Sequence, residues 1–192
     1  MTKTENFEQV EVTSEQQLRD WLGRHHAQSD SVWLVTFKKH LEGKYVSREE
    51  VLDQLICHGW IDGIRRKLDG DRTMQLISPR RAQHWARSYQ DRAARLESEG
   101  LMRPPGRRAI EASKEAGLWD FMDDVDALVK PDDLVEALAS RPNALKHFDA
   151  FPDSNQRFVL RWIKLAKKPE TRARRIRKIA ELASRNERLP GS

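Results

Sequence analysis

Residues 57–63 read Cys-His-Gly-Trp-Ile-Asp-Gly, and residues 78–85 read Ser-Pro-Arg-Arg-Ala-Gln-His-Trp. The two stretches hold a thiol, imidazoles, indoles, a carboxylate and guanidinium groups. Those groups suffice for acid–base, nucleophilic or ligand-orienting chemistry. On a strand, side chains two apart share a face, so Trp60, Asp62 and Ile64 point together. If Trp60 and Ile64 face the core, Asp62 is at least partly buried, and a buried carboxylate without a partner is strongly destabilising. Lys38, Arg80 and Arg81 are the candidate partners, each at the end of a neighbouring expected strand. Two roles stay open for Asp62. It is either a structural carboxylate tying a hairpin to the preceding element, or a ligand-orienting acid in a cleft walled by Trp60 and Trp85. A role as general base would need an identified proton to remove.

Cys57 and His58 stand in the last turn of an expected helix. A reactive thiolate prefers a helix N-terminus or a cationic niche, and adjacent helical residues diverge by about 100°. Cys57 therefore reads as a small core residue, and a Cys57–His58 dyad is disfavoured. The six histidines, at 25, 26, 40, 58, 84 and 147, show neither a helical His-x-x-x-His nor a His-Glu-x-x-His pattern. The acidic run between Asp120 and Asp133 reads as a solvated connector that caps helices. No metal and no cofactor is expected. GLMRPPG (100–106) follows a helix rather than a strand, which excludes a dinucleotide loop. No catalytic residue is assigned, although an enzyme using Asp62 or His58 stays open as an alternative.

Caps and periodicity indicate the elements that must position these groups. Ser14 and Gln17, then Ser47 and Glu50, have capping-box spacing at the starts of two helices. Gly59 stands where a left-handed residue would end the second. SVWLVTFKK (31–39) is apolar on both alternating faces, as in a covered central strand. FEQVEV (7–12) is a weaker strand. WIDGIRRKL and DRTMQLIS flank Asp69-Gly70 and predict a hairpin over 60–78, with a turn that needs positive φ. From 81 onward the pattern is helical: 81–99, 104–116, 131–140, 143–150, 154–167 and 170–187. The expected fold class is α+β, with a small antiparallel sheet and helices over residues 1–80. A helical part over 81–192 packs on it as one unit.

Several motifs in one order, VWLVTFKK, CHGWIDG, LDGDR, SPRRAQHW, EGLMRPPGRRAIEASKEAGLW and AKKPETRARRI, resemble the YdeI/OmpD-associated family, also called bacteriocin-protection proteins. That family is loosely grouped with the YjbR/CyaY-like α+β domains. The resemblance spans residues 30–180. It implies a role in stress or antimicrobial protection and carries no agreed reaction or catalytic residues. Where family members show Ser-x-Trp-Ser-x-x-x-Asn, this chain has Gln83, Ala86 and Tyr89.

Partners follow from the charge. Residues 155–188 hold twelve Lys and Arg against three acids, while the whole chain carries only +5. An apolar stripe through Phe158, Trp162, Leu165, Ile176, Ile179 and Leu182 leaves these bases on the opposite helix faces. They read as a solvated face, or as a non-specific nucleic-acid surface through Arg161, Lys164, Lys168, Arg172 and Arg175, or as a contact for an acidic partner. No run approaches a membrane span, and the first twelve residues lack the apolar core of a signal peptide. The expected compartment is the cytoplasm. The leading functional expectation is binding of an unidentified small molecule by Lys38, Trp60, Asp62, Arg80 and Trp85.

Overall fold

Residues 7–191 are described by a computed structural model. They form two compact units, one ending at Asp120 and the other starting at Phe121. The division therefore falls about one helix pair beyond the 80/81 boundary that the change of periodicity suggests. The helices that follow the sheet directly pack on α2 within the same unit, and the acidic connector is where compactness breaks.

In the first unit the order is β1 (Gln9–Glu11), α1 (Glu15–His25), β2 (Val32–Phe37), α2 (Arg48–Cys57), β3 (Trp60–Lys67), β4 (Arg72–Pro79), α3 (Arg87–Ser98) and α4 (Pro104–Glu115). The sheet runs β1-β2-β4-β3. It is mixed rather than wholly antiparallel, because β1 pairs parallel to β2 while β4 is antiparallel to both its neighbours. A helical crossover through α1 is what permits the parallel pair. All six residues of β2 are buried. Val32 and Leu34 meet Leu18, Leu22, Val51, Leu55, Trp60 and Ile77, so α1 and α2 cover one sheet face. A second cluster joins Ile56 and Cys57 of α2 to Trp85, Ala93, Leu96 and Met102.

The caps behave as their spacing predicts. Ser47 and Glu50 make a full capping box on α2. At α1, Ser14 accepts from the Gln17 N–H at 3.2 Å, while the Gln17 side chain accepts from the Thr13 N–H at 2.8 Å. Gly59 takes φ +72°, the left-handed conformation that ends α2.

Three local expectations are corrected. Gly70 is not among the positive-φ residues; the hairpin turn is closed by Asp69, whose Oδ1 accepts from the N–H groups of Asp71 and Arg72 at 2.9 and 2.7 Å. A short polar side chain thus does by hydrogen bonding what a left-handed glycine would do by geometry. Ile64 is 49% exposed, because the register of β3 on β4 shifts between Asp62 and Arg65. A bulge breaks the period-two alternation that would have carried Ile64 to the core. Helix α3 begins at Arg87, not 81: residues 80–86 leave β4 without helical bonding, and the Arg80 N–H instead donates to the Gly59 carbonyl at 2.8 Å.

The second unit has helices and no strand among its described residues: α5 (Asp123–Asp126), α6 (Asp132–Ala139), α7 (Ala144–Asp149), α8 (Asp153–Lys164) and α9 (Pro169–Ser184). Its own core gathers Met122, Leu134, Leu138, Phe148, Leu160, Ile163, Ile176 and Ile179, among others. No helix among the described residues is long and apolar enough to cross a membrane.

Candidate functional site

Register fixes what can meet Asp62. Trp60 faces Pro79 and Asp62 faces Ile77 across the β3–β4 pair, so the chain leaving β4 at Arg80 passes the start of β3. Arg80 then lies over the Trp85 ring, 3.8 Å from its centroid, and 5.7 Å from that of Tyr89. Tyr89, in the first turn of α3, donates its hydroxyl proton to Asp62 Oδ1. Gln75 of β4 donates to Asp62 Oδ2 at 3.3 Å. Asp62, Arg80 and Trp85 are thus brought together, with Tyr89 and Gln75 added.

The electrostatics of this cluster follow from burial. Arg80 is lowered to about 10 by desolvation, partly offset by Tyr89 and Asp62. Burial first, then the hydrogen bond to Asp62, pushes Tyr89 up to about 12. Arg80 attracts Asp62 through space without a hydrogen bond to it. Its Nε and Nη1 are buried with no acceptor, and so is Nε1 of Trp85. Three donors in one place therefore lack a partner in the fold, although Arg80 as a residue is only partly enclosed.

Two of the expected cleft residues lie elsewhere. Lys38 follows β2 at the opposite end of the hairpin, where its Nζ donates to the carbonyls of Asp69 and Gly70 at 3.0 and 2.6 Å. It holds the turn, six residues along from Val32, which stands beside the pair that contains Asp62. Trp60 is fully buried in the α1–α2 core, edge-on to Trp21 at 5.5 Å. Trp85 belongs to the other core cluster, tilted against Trp119 at 5.1 Å. The two indoles are not facing walls of one hollow. Arg81 is exposed.

Cys57 is free and buried, and burial pushes its thiol up to about 11. His58 is buried too; its Nδ1 donates to the Gln54 carbonyl at 2.8 Å, and desolvation lowers its pKa. Among the described residues no group of three or more His, Cys, Asp or Glu side chains could hold a metal ion.

Tyr89 and Gln75 are the residues that sequence reasoning missed. Tyr89 stands out in the sequence only as a departure from a family's polar pattern, yet it supplies the hydroxyl that meets Asp62. The spacing from Trp85 to Tyr89 was the available signal. Gln75 had none beyond its place on the strand that pairs with β3.

In the second unit the five bases expected to face nucleic acid divide. Lys164 pairs with Asp124 at 2.5 Å and Arg172 forks onto Asp133 at 2.7 and 2.8 Å. Arg175 donates to the Trp162 carbonyl and stacks over its ring at 4.9 Å. Arg161 and Lys168 are exposed and make no ion pair among the described residues.

The comparisons with known proteins divide along the chain in the same way as the fold. Residues 127–186, inside the second unit, match the family described as bacteriocin-protection, YdeI or OmpD-associated. That is narrower than the motif run over 30–180 implies, and of the six motifs only AKKPETRARRI lies within it. No curated protein and no solved structure matches the chain. Residues 10–109, which carry the sheet, α1 to α3 and the Asp62–Arg80 cluster, match the domain of unknown function DUF8412, and the chain belongs to that family.

Proposed function

We propose that this protein acts by binding a small molecule rather than by turning one over. The site is the cluster of Asp62, Arg80, Trp85, Tyr89 and Gln75. One observation carries the reading: Arg80 Nε and Nη1 and Trp85 Nε1 are buried donors without acceptors. Buried polar groups in folded proteins are nearly always satisfied, and an unsatisfied one costs about 1–3 kcal/mol, more when charged. An acceptor-rich group of a ligand, such as a carboxylate, would relieve three such donors at once. Asp62, fixed by Tyr89 and Gln75, is placed to receive a donor from the same molecule. A ligand with both kinds of group, an amphoteric metabolite or antimicrobial compound, fits this pattern. Protection by sequestration would accord with the family matched at residues 127–186.

Native mass spectrometry of the chain purified under non-denaturing conditions tests the proposal. A bound mass is expected on the wild-type protein and is lost in R80M and D62N variants that keep the wild-type circular dichroism. An identical set of bound masses in all three proteins would remove the site.

A second reading is supported by the second unit. Arg161, Lys167, Lys168, Arg174, Arg177, Lys178 and Arg188 are exposed and make no ion pair among the described residues. Several free bases on the α8–α9 helices suit sequence-independent contact with nucleic-acid phosphates. The surface then differs in its residues from the one expected from sequence, since Lys164, Arg172 and Arg175 are held within the fold.

A further inference from the structure

A cleft of about 880 Å³ opens in the first unit where α1, the end of α2 and the start of α4 meet. That volume is in the range of small-molecule sites. Arg19 and Arg24 of α1, His58 at the end of α2, and Arg103 and Arg108 at the start of α4 line it, with Asp20 as the one carboxylate in the lining. None of these residues belongs to the Asp62–Arg80 cluster.

The cations are only partly neutralised by the fold. Arg19 pairs with Glu15 at 3.0 Å, and Arg24 donates to the Asp20 carbonyl at 3.2 Å. The Asp20 carboxylate itself accepts from Gln16 at 2.7 Å. Arg103 and Arg108 are exposed and pair with no carboxylate among the described residues. Their positions are set by close packing. A Cβ on Gly106 would lie 2.5 Å from the Cys57 carbonyl oxygen, so the start of α4 abuts the end of α2. The Arg103 N–H donates to that same carbonyl at 3.2 Å, which brings Arg103 beside His58.

Two further details bear on what the cleft can hold. Pro104 and Pro105 open α4 and offer no N–H groups, so that positive helix end has two fewer backbone donors and leaves more of the hydrogen bonding to side chains. The Gln54 carbonyl can only accept, so Nδ1 of His58 carries the proton. The buried ring stays neutral at pH 7, which leaves Nε2 as an acceptor.

We propose that this cleft binds a small oxyanion bearing two or more phosphate or carboxylate groups. The guanidinium forks of Arg103 and Arg108 are its principal donors, and Arg19 and Arg24 form the opposite wall. Guanidinium groups match both oxyanions bidentately, which is the chemistry shared by the two ligand sources. His58 Nε2 accepts from a hydroxyl or N–H group beside the charged ends of the ligand.

Calorimetric titration of the full chain with pyrophosphate and with citrate, at low ionic strength, tests the assignment and separates the two sources. At least one probe binds the wild-type protein. The R103Q/R108Q variant loses about a hundredfold in affinity, tenfold for each charge-assisted pair removed. Lys39 and Lys67 are exposed and belong to neither cluster. A K39Q/K67Q variant, with the same change of net charge, therefore stays within about twofold of wild type. Absence of binding by both probes overturns the proposal. So does an equal loss in the two double variants, since the response would then follow net charge alone. Melting curves on each variant confirm that the exposed substitutions leave the fold intact.

Discussion

Arg80 is held where a cation is poorly tolerated. Desolvation lowers its pKa, two of its nitrogens lack acceptors, and its compensation is the face of Trp85 together with the field of Asp62. A desolvated cation over an indole recovers about 2 kcal/mol or more, comparable to the cost of the unsatisfied donors. Arg80 is in no salt bridge among the described residues, and a buried charge that is not paired and hydrogen-bonded costs more than an apolar side chain of similar volume in the same place. R80M is accordingly expected to raise the stability of the ligand-free chain by about 1 kcal/mol while abolishing binding at the Asp62 cluster. Urea denaturation of the two proteins measures this directly. A clear loss of stability in R80M would mean that Arg80 serves the fold and not a ligand. Tyr89 separates the same two roles: a hydroxyl spent on orienting Asp62 is a large commitment for a carboxylate with no task. Cys57 shows the opposite case, since a thiol pushed up to about 11 in a packed apolar setting is a core atom first.

The contact between α2 and α4 positions both candidate sites, because α2 ends where β3 begins. Gly106 lies under the Ile56 and Cys57 carbonyls, and a Cβ there would meet them at 2.6 and 2.5 Å, with Met102 Sδ at 2.6 Å. Backbone carbonyls cannot swing aside as a side chain can. G106A is therefore expected to cost about 1–3 kcal/mol through overpacking, visible as a lower melting temperature of the first unit. An unchanged transition would show that α4 can slide away from α2 freely. Much of this level was legible in the sequence. The Ser47–Glu50 spacing, the glycine after His58 and the doubly apolar β2 each have a local physical cause that the sequence states. The juxtaposition of Asp62 with Arg80 and Trp85 was legible too, because a hairpin centred on residues 68–71 must bring its two outer ends together. What was not legible depends on relations between elements. The bulge after Asp62 turned Ile64 outward, and the Asp69 carboxylate replaced a positive-φ glycine. Lys38 was drawn to the carbonyls of that turn, and Trp60 was claimed by Trp21 in the α1–α2 core. The 880 Å³ cleft was out of reach for the same reason: its arginines come from α1 and α4, two segments far apart in sequence that meet at the end of α2.

At the scale of the chain, three divisions coincide. Compactness breaks at 120/121, the two family matches fall one on each side, and the excess of positive charge lies in the second unit. The bacteriocin-protection match therefore belongs to the helical unit, while both clusters suited to small molecules belong to the other. Each unit has a hydrophobic core of its own, and α5 to α9 close theirs without a residue from the sheet. A chain of about 70 residues is near the lower limit at which such a core suffices, so the helical unit is expected to fold alone but with small reserve. Expressing residues 121–192 and the portion ending at 120 separately tests the division and the nucleic-acid reading together. Both should give cooperative thermal transitions. Only residues 121–192 should bind duplex DNA, with little dependence on sequence. If five of the unpartnered bases engage phosphates, log K should fall against log salt with a slope of about −4 to −5. A flat salt response, or equal binding by the portion ending at 120, would leave the α8–α9 bases as a solvated face. A binding role would then have to be sought in the other unit, where the Asp62 cluster and the arginine cleft lie.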